Sequence, residues 1–274
     1  MIVECFIIFY NHEKFIKDRL SNVFKIFDPK YVTLIDDFST DNTRNEIENF
    51  LNKNKISCNF LKNPSNFGIL KNWFLCTDYC QSEYIWILEG DDLSDYNFLK
   101  IFKKTNESIK DLDLFSGVTY SIDNKNSIIG KQSENIFKKL NLDFLLKKNL
   151  VKFSELNFFL SIFNIFPNIG SFIFKNQVLN ETLSKLTSYK LNIRYSYDWL
   201  LYFKLSQNKC LNFHFNKKAI NYFRIHGDNF SEQNNTNLKI QEIKSFYKTI
   251  DKDLKISKNS NLKTTRARYL KSLK

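Results

Sequence analysis

Proline and glycine are scarce in this chain, with three prolines and six glycines among 274 residues. No proline- or glycine-rich linker and no internal repeat divides it, so the length fits one large domain or one domain with an appended lobe. No apolar run approaches the roughly 20 residues of a membrane-spanning helix. Met1 leads straight into the strand-like IVECFIIFY with no basic region ahead of an apolar one. Neither a signal peptide nor a span is expected, and a cytoplasmic location is. The five cysteines, Cys5, Cys58, Cys76, Cys80 and Cys210, are odd in number and scattered, unlike a small disulfide framework. Cys76 and Cys80 would share a helix face, but no histidine lies near them, so they are expected to be small buried hydrophobes and not zinc ligands.

What is present is apolar and basic. A content of 43% hydrophobic and 16% aromatic residues can offset the entropy of ordering, which excludes a disordered chain. The formal net charge of +12 favours anionic partners such as nucleic acid, phosphorylated small molecules or anionic lipid head groups. Nucleic acid has only the charge in its favour. No recognisable module or interleaved basic and aromatic pattern supports it.

Four short runs rich in β-branched and aromatic residues occupy the first ninety positions: Ile2 to Phe9, Tyr31 to Ile35, Ile56 to Leu61 and Tyr84 to Leu88. Helical periodicity fills the gaps, at Lys14 to Phe27, Asp41 to Asn54 and Ile69 to Cys80. Alternation of this kind implies a parallel sheet with right-handed crossovers, and near-continuous hydrophobicity implies strands covered on both faces. Ligands of such sheets bind at the carboxyl ends of the strands.

The second half is less regular. Asp113 to Ile122, Ile169 to Phe174 and Ala219 to Ile225 have strand character, Tyr197 to Asn208 is expected as a helix, and Phe230 to Ile250 as a closing helix. Val151 to Phe166 is aromatic on most sides, fitting a buried helix better than a surface for lipid or a greasy acceptor. The lysine-rich stretch from Asp251 to Lys274 is expected as a solvated end, with contact to anionic membrane as the sharper alternative.

Two acidic clusters fall at strand ends. Asp36 and Asp37 close the second strand, and Ser39 or Thr40 could cap the next helix. Alone this is an ordinary strand-to-helix turn, although an acid here can accept a hydrogen bond from a base or ribose. Glu89-Gly90-Asp91-Asp92 closes the fourth strand. Three carboxylates in four positions repel unless solvent or a cation screens them, and such oxygen-rich sites suit Mg²⁺ or Mn²⁺ with a substrate phosphate.

These clusters, together with the first-strand FIIFYNHEKFI, resemble the inverting glycosyltransferases of family 2, which have the GT-A fold. Ile8-Phe9-Tyr10-Asn11 sits where that family opens its nucleotide pocket, Asp36-Asp37-Phe38-Ser39-Thr40-Asp41 resembles its Asp-Asp-Gly-Ser-Thr-Asp turn, and Asn66-Phe67-Gly68 its Asn-x-Gly loop. SEYIWILEGDD resembles the strand and metal loop usually written Asp-x-Asp. Gly170 to Phe174, YDWLLYFKL and YFRIHGDNFS follow in the family's order, up to about Ser231.

The resemblance implies an α/β GT-A domain over 1–230, with a nucleotide-sugar half (1–110), a less regular acceptor half (111–230), and a C-terminal helix and basic tail (231–274). It implies Tyr10 stacked on the base and Asp37 accepting the ring N–H of a uracil. Asn66, Gly68 and Lys71 would lie along the donor and its diphosphate, and Arg224 near the diphosphate or the metal. Asp91 would be the principal ligand of a divalent metal, Mn²⁺ or Mg²⁺, with Glu89, Asp92 and His226 completing or orienting its shell. Asp198 would be the general base; locally it also fits as a helix cap. His12 and His214 lack such context and are expected as structural or surface residues. The implied partners are a UDP-sugar donor and a glycan or lipid-linked acceptor of a bacterial surface polysaccharide or lipooligosaccharide, at the inner face of the cytoplasmic membrane. Phe38 in place of glycine, Tyr197 in place of an acid, Lys71 in place of arginine and Tyr96 in place of proline depart from the pattern. They leave room for a second reading, a GT-A scaffold that binds a nucleotide or glycan without turnover.

Overall fold

The computed structural model describes residues 1–148, 150–187, 196–227, 236–254 and 260–273. Its first ninety residues alternate as the apolar runs require: β1 (Val3–Phe9), α1 (Ile16–Ile26), β2 (Val32–Asp36), α2 (Thr43–Asn54), β3 (Asn59–Lys62), α3 (Gly68–Tyr79) and β4 (Tyr84–Glu89). The strands pair in parallel in the order β3-β2-β1-β4. Successive side chains point to opposite faces. Phe6 and Ile8 of β1, with Ile85 and Ile87 of β4, enter one apolar core, whereas Cys5, Ile7 and Phe9, with Trp86 and Leu88, enter the other. Both faces are covered, which is why these runs are apolar at every position. Cys76 and Cys80 are buried, as their apolar reading requires.

The third run starts later than expected. Lys55 takes a left-handed φ of 53° at the end of α2, and its backbone N–H together with that of Ile56 returns to the helix carbonyls. Residues 55–58 therefore leave the helix before β3 begins.

The remaining elements are β5 (Leu93–Ser94), α4 (Phe98–Ser108), β6 (Leu114–Ile122), β7 (Ile128–Gly130), α5 (Gln132–Leu140), β8 (Val151–Lys152), α6 (Asn157–Leu160), β9 (Phe172–Lys175), α7 (Asn176–Leu186), α8 (Tyr197–Ser206), β10 (Asn212–Arg224), α9 (Thr236–Leu254) and α10 (Ser260–Lys271). They extend the sheet as β4-β9-β6-β10-β5, with β7 on β6 and β8 on β10. β9 runs antiparallel to both β4 and β6, while β6 and β10 are parallel. The α/β sheet expected from sequence is present, parallel through its first four strands and mixed beyond them.

Three expectations for this half change. Val151 to Phe166 is not one helix: Val151 and Lys152 pair with β10, a 3-10 turn follows, and only Asn157–Leu160 is α-helical. Its β-branched and aromatic residues have modest helix propensity, and Ser and Asn compete for backbone groups, so packing decides. The packing is what was expected, since Phe153, Leu156, Leu160, Ile165 and Phe166 are buried. β10 begins seven residues before the expected Ala219, with a register irregularity between Asn216 and Ile220.

The C-terminal segment is not simply solvated. Phe246 of α9 stacks on Trp199 of α8 at 3.8 Å, and Leu262 and Arg266 of α10 are buried. Arg266 donates to the Ser161 carbonyl and pairs with Asp251. The first residues of the expected closing helix, 230–235, lie outside the described residues, as do Asp228 to Ser231 of the last family-like motif.

Candidate functional site

The parallel strands bring three loops to one sheet edge, and short polar side chains tie those loops together. Asn11, just past β1, has a φ of 57°. Its Oδ1 accepts from the Thr40 and Asp41 backbone at 2.8 and 3.4 Å, while its own N–H donates to Ser39 Oγ at 3.0 Å. Asp36 is fully buried and receives Nε and Nη2 of Arg44 at 3.0 and 2.6 Å. It braces the turn. Phe38 takes a φ of 63°, the conformation a glycine favours, and leaves its ring exposed. The glycine's backbone shape is thus kept by a residue that pays about 1–2 kcal/mol for it. Tyr10, 44% exposed, stands free for stacking.

Asp37 is 3% exposed. Its Oδ1 accepts from Asn63 Nδ2 (2.8 Å) and the Phe67 N–H (2.7 Å), and its Oδ2 from the Gly68 N–H (2.9 Å). The carboxylate thus seats the positive start of α3. Gly68 needs its φ of 73°, and Asn66 Nδ2 donates to the Asp37 carbonyl at 3.3 Å. The Asn-x-Gly loop is therefore held by Asp37. Oδ2 has one protein donor and retains a lone pair for a base N–H. Lys71 is exposed on α3, its ammonium 5.8 Å from the Phe67 ring centre.

The acidic loop after β4 separates into three carboxylates with different surroundings. Gly90 is packed so tightly that a Cβ there would meet Phe9 at 2.4 Å and His12 Nδ1 at 2.5 Å. Asp91 Oδ2 lies 3.0 Å from His226 Nε2 and 3.8 Å from His12 Nε2. Burial alone would raise the Asp91 carboxyl, yet the two imidazoles hold it below its ordinary value. Asp92, buried, accepts the Arg224 N–H on Oδ1 (2.8 Å) and Asn168 Nδ2 on Oδ2 (2.6 Å). Burial, then the charge of Asp91, pushes its carboxyl well above the ordinary range. Both Asp92 oxygens face protein donors, so this residue orients the loop.

Glu89 falls, by strand alternation, on the face of Ile85 and Ile87, toward α8. Burial, reinforced by the charges of Asp91 and Asp198 and opposed by Arg19, pushes its carboxyl up to about 8.

Arg224, expected near the diphosphate or the metal, lies against the acidic loop that carries Asp91. It is fully buried, and its guanidinium donates through Nε to the Asp91 carbonyl (2.7 Å), through Nη1 to the Asp123 carbonyl (2.8 Å) and through Nη2 to Asn126 Oδ1 (2.6 Å). All three nitrogens are engaged, so the side chain clamps the acidic loop to the end of β6 and is not presented to a ligand.

Asp198 opens α8, half-buried. Its Oδ1 accepts its neighbour Trp199's N–H at 2.7 Å, although α8 already begins at Tyr197 and Asp198 is not its N-cap, and its Oδ2 accepts Asn164 Nδ2 at 3.3 Å. Burial outweighs these bonds and pushes its carboxyl up to about 7. A carboxyl poised there is half ionised near neutrality, which suits a general base.

Four residues of the site have no motif of their own. His12 was expected as structural or surface, and it lies instead beside Asp91 with its Nδ1 buried and unbonded. Asn164 falls within the aromatic run Val151 to Phe166 and Asn168 two residues beyond it, and neither stands out from the other polar residues there. Arg19, 1% exposed on α1, lies near the acids, and nothing local predicts a buried arginine there.

Among the described residues no group of three or more His, Cys, Asp or Glu side chains is arranged as a ready metal cage. The donor set still fits Mg²⁺ or Mn²⁺, which are commonly held by one or two carboxylates while water and substrate phosphates fill the shell. Asp91 with the imidazole of His226 would supply such a partial set, and Asp92 with Arg224 holds the loop in place.

Residues 4–185 match the model of the family described as Glycosyl transferase family 2. That is well over half of the chain, and the chain belongs to this family. No curated protein matches it in sequence. Among solved structures it is similar to S. aureus TarS 1–349, with 19% identity over 82% of this chain and a TM-score of 0.56. The chain spans 60% of that TarS chain. It is also similar to S. aureus TarS 1–349 in complex with UDP-GlcNAc (15% identity, 98% of this chain, 72% of that one, TM-score 0.60). A third is the mannosyltransferase PcManGT from Pyrobaculum calidifontis in complex with GDP-Man and Mn²⁺ (13% identity, 95% and 66%, TM-score 0.61). At these identities the likeness is one of fold, and it places the chain among GT-A proteins.

Proposed function

We propose that the protein is an inverting glycosyltransferase that moves a sugar from a nucleotide sugar, a UDP-sugar first among candidates, to a glycan or lipid-linked acceptor. The observation that carries this reading is the meeting of two acids from distant parts of the chain. The charges of Asp91 and, next, of Asp198 at the start of α8 both bear on the buried Glu89 at the end of β4. A structural role would separate or pair such carboxylates. A site that receives a diphosphate and a hydroxyl between them needs them together.

In this reading Tyr10 stacks on the base and Asp37 Oδ2 accepts its N–H, with the start of α3 fixing the carboxylate. Lys71 lies on the side from which the diphosphate enters. Asp91, with His226, would hold a divalent cation; when bound, that ion would offset charge on the departing nucleoside diphosphate. Asp198 takes the proton of the acceptor hydroxyl as its oxygen forms a bond to the anomeric carbon. The bond to the diphosphate oxygen breaks on the opposite face, so the centre inverts. Asn164 sets the direction of the accepting oxygen.

The acceptor belongs, in this reading, to a bacterial surface polysaccharide or lipooligosaccharide, with the protein at the inner face of the cytoplasmic membrane. No helix among the described residues is long and apolar enough to cross a membrane, and the +12 charge favours an anionic surface. The test is release of nucleoside diphosphate from a panel of nucleotide sugars with and without Mn²⁺. Release that depends on Asp91 and Asp198 is the expected result. Binding of a donor with no release from any of them would leave the scaffold that binds without turnover.

A further inference from the structure

A groove of about 600 Å³ opens between α5, α10 and the segment at Phe163 and Asn164. Ile136, Leu140, Phe163, Tyr269 and Leu273 line it, and Phe163 meets Tyr269 edge-on at 4.9 Å between ring centres. Its size is that of a small-molecule site. Lys139 and Arg268 also line it, both exposed, and among the described residues neither has a carboxylate partner. Apolar walls with two unneutralised cations complement a ligand with an apolar body and an anionic group.

One residue of the groove wall touches the candidate base. Asn164, one of its lining residues, donates to Asp198 Oδ2 at 3.3 Å, and the Asn164 Oδ1 is buried with no hydrogen-bond partner. Asn164 thus links the groove to the candidate base, which lies behind it and not in the groove wall. Helix α10 forms one wall through Thr265, Arg268 and Tyr269, so the C-terminal segment contributes to the site. Arg266 fixes that wall through the Ser161 carbonyl and Asp251.

We propose that this groove holds the apolar, anionic portion of the acceptor, a single hydrocarbon chain bearing a phosphate-class group, with Lys139 and Arg268 on the anion and Phe163 and Tyr269 along the chain. The assignment rests on the glycosyltransferase reading for what happens next to it, but binding in the groove is measurable without turnover.

The test uses dodecyl phosphate below its micelle concentration as the probe, followed by calorimetry on the full chain. Inorganic phosphate, uncharged dodecyl maltoside and vesicles containing phosphatidylglycerol are the comparison arms. Dodecyl phosphate should bind the wild type, and roughly tenfold more weakly the K139Q/R268Q pair, about the value of a lost charge-assisted contact. Thr265→Trp, which fills the groove while leaving both cations in the sequence, should abolish binding. Both variants should melt where the wild type does and release nucleoside diphosphate from donor alone at the wild-type rate. Equal binding of dodecyl phosphate and dodecyl maltoside, or binding unchanged in both variants, overturns the proposal. So does binding to vesicles with none to the monomeric probe, which would mark a membrane-facing surface instead. A wild type that binds the probe in the groove yet releases no diphosphate from any donor refutes the glycosyltransferase reading and leaves the ligand site standing.

Discussion

The two halves of the sheet are built on different principles. From β1 to β3 the strand-end loops are held by one another or by the helix that follows: Asn11 with Ser39 to Asp41, Asp36 with Arg44, Asp37 with Phe67 and Gly68. Beyond β4 the site is assembled from residues far apart in the chain. Asp92 takes its partners from Asn168 and Arg224, and Asp198 takes one from Asn164. Parallel β-loop-α units organise their own carboxyl ends, whereas the mixed half holds its acids only through tertiary contacts. The first half should therefore tolerate loss of the second half's contacts in binding a nucleotide, and the second should not tolerate loss of its clamps.

The largest expected effect falls on Asp198. Asp198→Asn should lower transfer by about 10²–10⁴-fold, the usual scale of a lost general base, with donor binding and melting temperature unchanged. A wild-type rate would break the division into donor and acceptor halves. Asn164→Ala should lower the rate less and leave donor affinity alone.

Arg224 sharpens the comparison next. Arg224→Met leaves the Asp91 and Asp123 carbonyls without their buried donor, so unfolding free energy should fall by at least about 2 kcal/mol in denaturant titration. If Arg224 served the diphosphate instead, donor affinity would drop with stability intact.

The pH dependence follows from the raised carboxyls. Glu89 is pushed up to about 8 in the fold from an ordinary value of 4.5. Between those values the unfolded chain has lost this proton and the folded one keeps it, so stability falls as pH rises. Without added metal or donor, the melting temperature should decline from about pH 5 to about pH 8, and Glu89→Gln should flatten that decline. Transfer should move oppositely, climbing with pH through about 7 as Asp198 ionises.

The smallest effect belongs to Phe38. Phe38→Gly relieves a left-handed φ, and the gain is partly offset by the freedom glycine adds to the unfolded chain, so a net stabilisation of up to about 1 kcal/mol is expected. A loss of donor affinity in the same variant would show that the exposed ring forms a wall of the nucleotide pocket.

The alternation of β1 to β4 with α1 to α3, both buried faces of those strands, and the grouping of Asp37 and Asp91 at one sheet edge were legible from residue order alone. Periodicity is a local property, and parallel topology converts it into position. The same locality explains what stayed hidden. Nothing near Arg224 in sequence shows that its three nitrogens meet carbonyls and an amide after β4 and β6, and nothing near His12 shows that it faces Asp91. Val151 to Phe166 has a helix-like apolar pattern, yet its first residues pair with β10, because burial rewards contact and not period. By itself the sequence determined which strands form, which faces are buried and where acids gather. Only the tertiary structure decided which acid is clamped and which is left to chemistry, because that depends on donors brought in from more than seventy residues away.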